Sequence, residues 1–288
     1  MEVVRAEHAG FCFGVERVVS EVERRLAGGK KLYTYGPVIH NERVVDDLRA
    51  RGAEVIDNID GLDRIDGETL VIRAHGVTVQ VMERIRELGI DYCDRTCPFV
   101  ARIHRLVAEA TERGEFVVVA GDSSHPEVEG IVSCCGEGGL YAVVRNAEEA
   151  RALEPPAGLG LCIVAQTTFQ AKIFQEIVEI FEGRGYNANV VNTICSATGE
   201  RQTEAARLAG EMDAMVVIGS ATSSNSRKLA EICEERCPRT YFVSGAGELP
   251  ESFPEGVERI GITAGASTPN NTIEEVLEQC RKNLLSSS

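Results

Sequence analysis

The sequence predicts an α/β protein built of three similar small α/β domains in a pseudo-threefold arrangement. Two observations lead there. Apolar runs of strand character (LYTYG, TLVIRAHG, FVVVAG, LCIVAQTT, AMVVIGS and RIGITAG) each end in Gly or a short polar tip, and a helix-like segment follows. That alternation is the signature of βα units and mainly parallel sheets. The second observation is self-similarity at long period. The same 24 residues separate Cys12 from Gly36, Cys97 from Gly121 and Cys195 from Gly219.

Each of these cysteines opens a helical segment: VERVVSEVERRLAGG follows Cys12, PFVARIHRLVAEATERG follows Cys97, and SATGERQTEAARLAG follows Cys195. Pro98 and Ser196 suit a helix start. Past each glycine lies a polar tip and another helix start: GPVIHNE with His40, GDSSHPE with His125, and GSATSSN with Ser223, Ser224 and Asn225. A second strand then ends in RAHG with His75, AQTTF with Thr167 and Thr168, or TAGAST with Ser267; these tips lie 63, 70 and 72 residues after the repeat's own cysteine. The expected domains are residues 1–96, 97–194 and 195–288, with boundaries just before Cys97 and Cys195. Ligands of open α/β sheets bind at the carboxyl ends of the strands. A threefold arrangement would therefore aim all the tips into one central space.

The charge balance narrows the partners. The 30 basic and 45 acidic residues give a net charge of −15; such a surface repels nucleic acid and anionic membranes, so neither is expected as a partner. No apolar run approaches the roughly 20 residues that span a bilayer. The start, MEVVRAEHAG, lacks the basic region and long apolar stretch of a signal peptide, so a cytoplasmic location is expected. Ten cysteines in that compartment argue against a disulfide framework. The lack of any Cys-x-x-Cys pair weakens thioredoxin and zinc-ribbon readings.

A cysteine at a helix N-terminus is biased towards thiolate. One alone is a nucleophile candidate, whereas three from equivalent places look like ligands to one centre. Structural zinc takes four closed ligands, usually with short-range pairs. An iron–sulfur cube held by three cysteines leaves one iron open to act as a Lewis acid on a substrate oxygen. A non-catalytic iron–sulfur sensor is the first competing reading; it needs the cysteines but not the polar tips. A zinc- or thiol-based hydrolase using Cys12 or Cys97 is the second.

The tips offer His40, His75, His125, Ser223, Ser224, Asn225, Ser267 and Thr167 or Thr168, hydrogen-bond donors with few permanent charges. Such a set suits a phosphate or diphosphate, beside which an imidazole becomes cationic. Glu127, two residues past His125 in HPE, is an acid placed in a tip, and a nearby anion would raise its pKa and make it a proton donor. His8 and His104 read as structural. The other seven cysteines read as packed or incidental thiols.

The motifs GFCFGV, GPVIHN, RAHG, DRTCPFV, HPEVEG, AQTT, NTIC, SSNS and GAST, in this order over residues 10 to 268, resemble the LytB/IspH family. Its members are the 4-hydroxy-3-methylbut-2-enyl diphosphate reductases of the non-mevalonate isoprenoid pathway. The resemblance implies a central 4Fe-4S cluster held by Cys12, Cys97 and Cys195, whose one open iron takes the substrate's hydroxyl. It implies diphosphate contacts from His40, His75, His125, Ser223, Ser224, Asn225 and Ser267. Glu127, beside His125, would be the proton donor, with Thr167 or Thr168 holding the hydroxyl or a relay water. The implied reaction is reductive dehydroxylation to isopentenyl and dimethylallyl diphosphate. With no nicotinamide fingerprint or fused extra domain in the chain, a ferredoxin or flavodoxin is the implied electron donor.

Overall fold

The computed structural model describes residues 2–29 and 31–286. Strands β1 (Glu2–Arg5), β2 (Leu32–Tyr35), β3 (Ala53–Ile56), β4 (Thr69–Ile72) and β5 (Tyr92–Asp94) come first. They are followed by β6 (Phe116–Ala120), β7 (Tyr141–Val144), β8 (Leu161–Ala165) and β9 (Ala188–Val190), then β10 (Ala214–Ile218), β11 (Thr240–Val243) and β12 (Arg259–Ala264). Between them run helices α1 (Phe13–Leu26), α2 (Glu42–Ala50), α3 (Val79–Glu87), α4 (Pro98–Glu112) and α5 (Pro126–Ser133). Helices α6 (Ala147–Ala152), α7 (Ala171–Gly183), α8 (Ser196–Glu211), α9 (Ser224–Glu234) and α10 (Asn270–Ser286) complete the set.

These elements form three four-stranded sheets with every pairing parallel, ordered β3-β2-β4-β5, β7-β6-β8-β9 and β11-β10-β12-β1. The chain divides into two compact units. One comprises Met1–Glu16, Ile39–Asp47 and Ser196–Ser288 and holds the sheet containing β1; the other comprises Arg17–Val38 and Leu48–Cys195 and holds the remaining two sheets.

All three sheets share one connectivity. The strand after each cysteine-headed helix (β2, β6 or β10) lies between the next strand and the one after that. The far edge is then taken by the strand that leads into a cysteine: β5 before Cys97, β9 before Cys195 and β1 before Cys12. The repeat is thus cyclic along the chain. The N-terminal strand does not join the first sheet but completes the last, in the place that β5 and β9 take in theirs.

The repeated spacing has a structural counterpart. Gly36, Gly121 and Gly219 donate their backbone N–H to the final carbonyl of the neighbouring edge strand, on Ile56, Val144 and Val243, at 2.7, 3.0 and 2.9 Å. The three glycines occupy the same rung of three ladders.

The inner strands β6, β8 and β10 are buried at every residue, as expected of parallel strands covered on both faces. Helix α1 buries Val15, Val18, Val22 and Leu26 at helical spacing. It also buries a carboxylate, Glu21, at 6% exposure. This group accepts hydrogen bonds from Arg24, Arg25 and Arg95, the last at 2.8 Å. Burial alone would raise its pKa, but the bonds from Arg24, Arg95 and Arg25 outweigh burial and hold it at about 2.

A carboxyl depressed in the fold contributes stability that is complete above its unfolded value near 4.5 and lost as pH falls towards 2. Glu21→Gln is therefore expected to lower the urea midpoint at pH 7 and to converge with the parent chain near pH 2.5. A difference that stays constant across urea titrations at both pH values refutes the assignment.

Candidate functional site

The three cysteines are placed alike. Cys97 stands at the head of α4 with an extended backbone and Pro98 in the first helical position. Its carbonyl accepts the N–H of Ala101, and that of Cys12 accepts the N–H of Glu16, both at 2.9 Å. Cys195 directly precedes α8. In each case the cysteine N–H is bonded to a strand tip: Cys12 to the Ala266 carbonyl at 3.3 Å, Cys97 to Ala74 at 2.9 Å and Cys195 to Thr167 at 3.1 Å. Each cysteine is thereby pinned to the second tip of the repeat before it in the cyclic order. The same bonds make His75, Thr168 and Ser267 structurally equivalent, since each follows the bonded residue.

All three cysteines are half-buried, and among the described residues no disulfide forms. The remaining thiols have a different setting. Burial raises Cys134 and Cys162 to about 11, and Cys233 and Cys280 to about 12. Those four are held as protonated thiols, as befits packed side chains.

In the unit that holds Cys97 and Cys195, the rings of His75 and His125 meet edge to face with centroids 5.3 Å apart. His125 caps α5: its Nδ1 accepts the N–H of Glu127 at 3.1 Å. In the neutral ring that bond leaves the proton on Nε2. Glu127, one residue into the helix, is 1% exposed. Its carboxylate accepts the Thr167 N–H at 2.6 Å and the Thr167 hydroxyl at 2.7 Å. The two adjacent threonines thus differ. Thr168 instead receives a hydrogen bond from Gln166 Nε2 at 3.1 Å, and Gln166 Oε1 accepts the Asp122 N–H at 3.2 Å.

In the other unit, which holds Cys12, Ser223 caps α9. Its hydroxyl oxygen accepts from the N–H of Ser226 at 3.3 Å and the hydroxyl of Ser226 at 3.0 Å. The Ser267 hydroxyl lies 3.4 Å from the same oxygen and donates to the backbone carbonyl of His40 at 3.0 Å. Asn41 Nδ2 donates to the Ser267 carbonyl at 2.9 Å, tying the first tip of one repeat to the second tip of another. Ser224 and Asn225 are each 5% exposed. Both polar atoms of the Asn225 side chain are buried without a hydrogen-bond partner. Space here is tight: a Cβ on Gly219 or Gly265 would stand 2.2 or 1.9 Å from Ser226 Oγ, so both strand ends must be glycine.

The sequence-predicted residues thus fall into two groups. His75, His125, Glu127, Thr167 and Thr168 gather in the unit of Cys97 and Cys195. The His40 backbone, Ser223, Ser224, Asn225 and Ser267 gather in the unit of Cys12. Sequence reasoning missed Asn41 and Gln166, which position their neighbours. Both lie inside quoted motifs, GPVIHN and AQTT, but an amide next to a histidine or threonine draws no chemical notice by itself.

No helix of the described residues is long and apolar enough to cross a membrane. The family model for LytB protein matches residues 3–281. A 4-hydroxy-3-methylbut-2-enyl diphosphate reductase of Geotalea uraniireducens is 43% identical over 282 residues, covering 98% of either chain. The enzyme of that name from Caldanaerobacter subterraneus subsp. tengcongensis is 41% identical, over 98% of this chain and 97% of its own. Among solved structures, the E-1-hydroxy-2-methyl-but-2-enyl-4-diphosphate reductase of Plasmodium falciparum superposes with a TM-score of 0.90 at 27% identity, covering 96% of this chain and 87% of that one. A second, described as (E)-4-hydroxy-3-methyl-but-2-enyl diphosphate reductase, the terminal enzyme of the non-mevalonate pathway, gives 0.68 at 39% identity, with 98% and 100% coverage. With its cysteine-headed repeats, its polar strand tips and a family match running almost end to end, the chain belongs to the LytB family.

Proposed function

We propose that this chain is an iron–sulfur reductase acting on (E)-4-hydroxy-3-methylbut-2-enyl diphosphate, giving isopentenyl and dimethylallyl diphosphate in the non-mevalonate route to isoprenoids. Two electrons and two protons enter, the allylic C–O bond breaks, the oxygen leaves as water and a C–H bond forms.

The observation that carries the substrate assignment is the start of α9. Asn225 keeps both side-chain polar atoms buried and unpartnered there, beside the buried Ser223 and Ser224. Buried polar groups are ordinarily satisfied, so this cluster suits an oxygen-rich ligand. The diphosphate is assigned to His40, His75, His125, Ser223, Ser224, Asn225 and Ser267. His125, with its neutral-state proton at Nε2, is a donor to that anion.

Glu127 is assigned as the proton donor, with Thr167 as its relay. When its carboxyl is ionised it accepts the Thr167 hydroxyl proton. When it is protonated it donates to Thr167 Oγ1, and the Thr167 hydroxyl turns its own proton outward. One proton thus moves through Oγ1 with no displacement of the backbone. Thr168, anchored by Gln166, has its hydroxyl proton free to orient a substrate hydroxyl or a water.

Cys12, Cys97 and Cys195 are assigned as ligands of a 4Fe-4S cluster with one iron open. Three half-buried thiols at helix starts, each with its backbone pinned to a strand tip, fit that group. Bound there, the cluster supplies single electrons and a Lewis-acidic iron for the substrate oxygen. A ferredoxin- or flavodoxin-type protein is the assigned electron donor and the cytoplasm the assigned location. The repeats are assigned as residues 1–96, 97–194 and 195–288, with β1 lending its strand to the last.

The test is anaerobic purification, iron and sulfide analysis, a visible spectrum and turnover of the allylic diphosphate with a chemical reductant. A colourless protein with stoichiometric zinc sinks the reading, and so does a cluster-loaded protein that leaves the substrate intact.

A further inference from the structure

Arg73 is a charged side chain that none of these assignments uses. It follows β4 immediately, opposite Gly36, since Ile72 and Tyr35 are register partners. It is 9% exposed, and its Nε is buried without a hydrogen-bond partner. The charged or ionisable groups that act on it, Glu129, Tyr35 and Asp57, do so through space. The guanidinium lies against Gly36, where a Cβ would stand 2.2 Å from Nη1, and Gly36 has a φ of +69°. Glycine at that position is what makes room for the cation.

A buried guanidinium with an unused donor is costly unless an anion or acceptor meets it. The surroundings say where such an anion would sit. Gly76 N–H bonds the Arg73 carbonyl at 3.0 Å, closing a turn that carries His75. Glu129 lies on α5, one turn beyond His125. The cation thus heads the turn that carries His75 and lies within electrostatic reach of Glu129 on the helix that His125 caps. Burial lowers its pKa, but an arginine keeps its charge at neutral pH.

We propose that Arg73 is a positioning residue for the anion site: a fixed cation that holds the His75 tip and strengthens binding of the diphosphate by His75 and His125. The inference rests on the diphosphate reading above and adds to it a permanent charge. The histidines, serines and asparagine of the tips supply none.

The test uses the cluster-loaded full chain and inorganic diphosphate as the probe. Calorimetric Kd values are measured for the parent, Arg73→Lys and Arg73→Met, with thermal melts and visible spectra to register folding and cluster content. Lysine keeps the charge but loses the planar fork, so its Kd is expected to rise about threefold. Methionine removes the charge, and its Kd is expected to rise about tenfold or more, with a flatter dependence on salt. The KM for the allylic diphosphate should rise in step while kcat stays within about threefold, a split that a general loosening of the fold does not give.

A Kd for a folded methionine variant within about twofold of the parent, or for a folded lysine variant about tenfold or more above it, overturns the proposal. The lysine result decides if the methionine chain does not fold. If the parent itself neither binds inorganic diphosphate nor turns over the allylic substrate, the functional reading has failed. If the parent does both and the variants match it, the inference about Arg73 alone has failed.

Discussion

Glu127→Gln is expected to lower kcat by roughly 10²–10⁴-fold while leaving inorganic diphosphate affinity and the visible spectrum close to those of the parent. The geometry explains why the damage stays local. Both carboxylate oxygens of Glu127 are engaged by Thr167, one by its N–H and one by its hydroxyl. Glutamine is nearly isosteric: its Oε1 accepts the N–H, and its Nε2 donates to Oγ1 once the hydroxyl rotates. Every hydrogen bond is kept, but no titratable proton remains to be passed through Oγ1. The amide also locks the hydroxyl in one direction. Steady-state rates alongside calorimetry check this, and normal turnover in a cluster-loaded variant removes Glu127 from the proton path.

The second large effect concerns the cysteines. Cys97→Ser is expected to lose most of its iron, sulfide and visible absorbance on anaerobic purification, with turnover falling below detection. Serine keeps the helix start, the pinned N–H to Ala74 and Pro98 in place. What it removes is the soft thiolate that an iron–sulfur centre demands. Cys134→Ser is the matched control. That thiol is held at about 11 by burial and bonds the Gly130 carbonyl at 3.4 Å, so iron content and rate should match the parent. Equal iron content in the Cys97 and Cys134 variants refutes the ligand assignment.

The sequence disclosed the inner strands and concealed the outer ones. FVVVA, LCIVA and AMVVI are buried at every position, so they appear as unbroken apolar runs. The edge strands β5 and β9 are three residues each, YCD and ANV, and are half-exposed with mixed composition. A strand paired on one side only needs little apolar character, so no periodicity marked it. The cysteine-to-glycine spacing was legible because it counts residues along one helix and one strand, which backbone geometry fixes.

The site followed the same division. His125 and Ser223 were found as residues with chemistry at a strand tip. Gln166 and Asn41 act by holding such residues, and an amide in that role leaves no trace in spacing. Arg73 escaped for another reason. An arginine in a strand–turn sequence is ordinarily solvated, and only its burial against Gly36 sets it apart.

The cyclic order of the sheets bears on how the chain is made. Strand β1 leaves the ribosome before every other strand described, yet its partner β12 lies more than 250 residues later, pairing Glu2 with Arg259. The sheets β3-β2-β4-β5 and β7-β6-β8-β9 need only neighbouring segments and can form during synthesis. The remaining sheet waits until β12 has been made, and the Cys12 N–H waits for Ala266, which holds it. Cys12 is made before Cys97 and Cys195, yet its N–H finds its partner only after those of both have been synthesised.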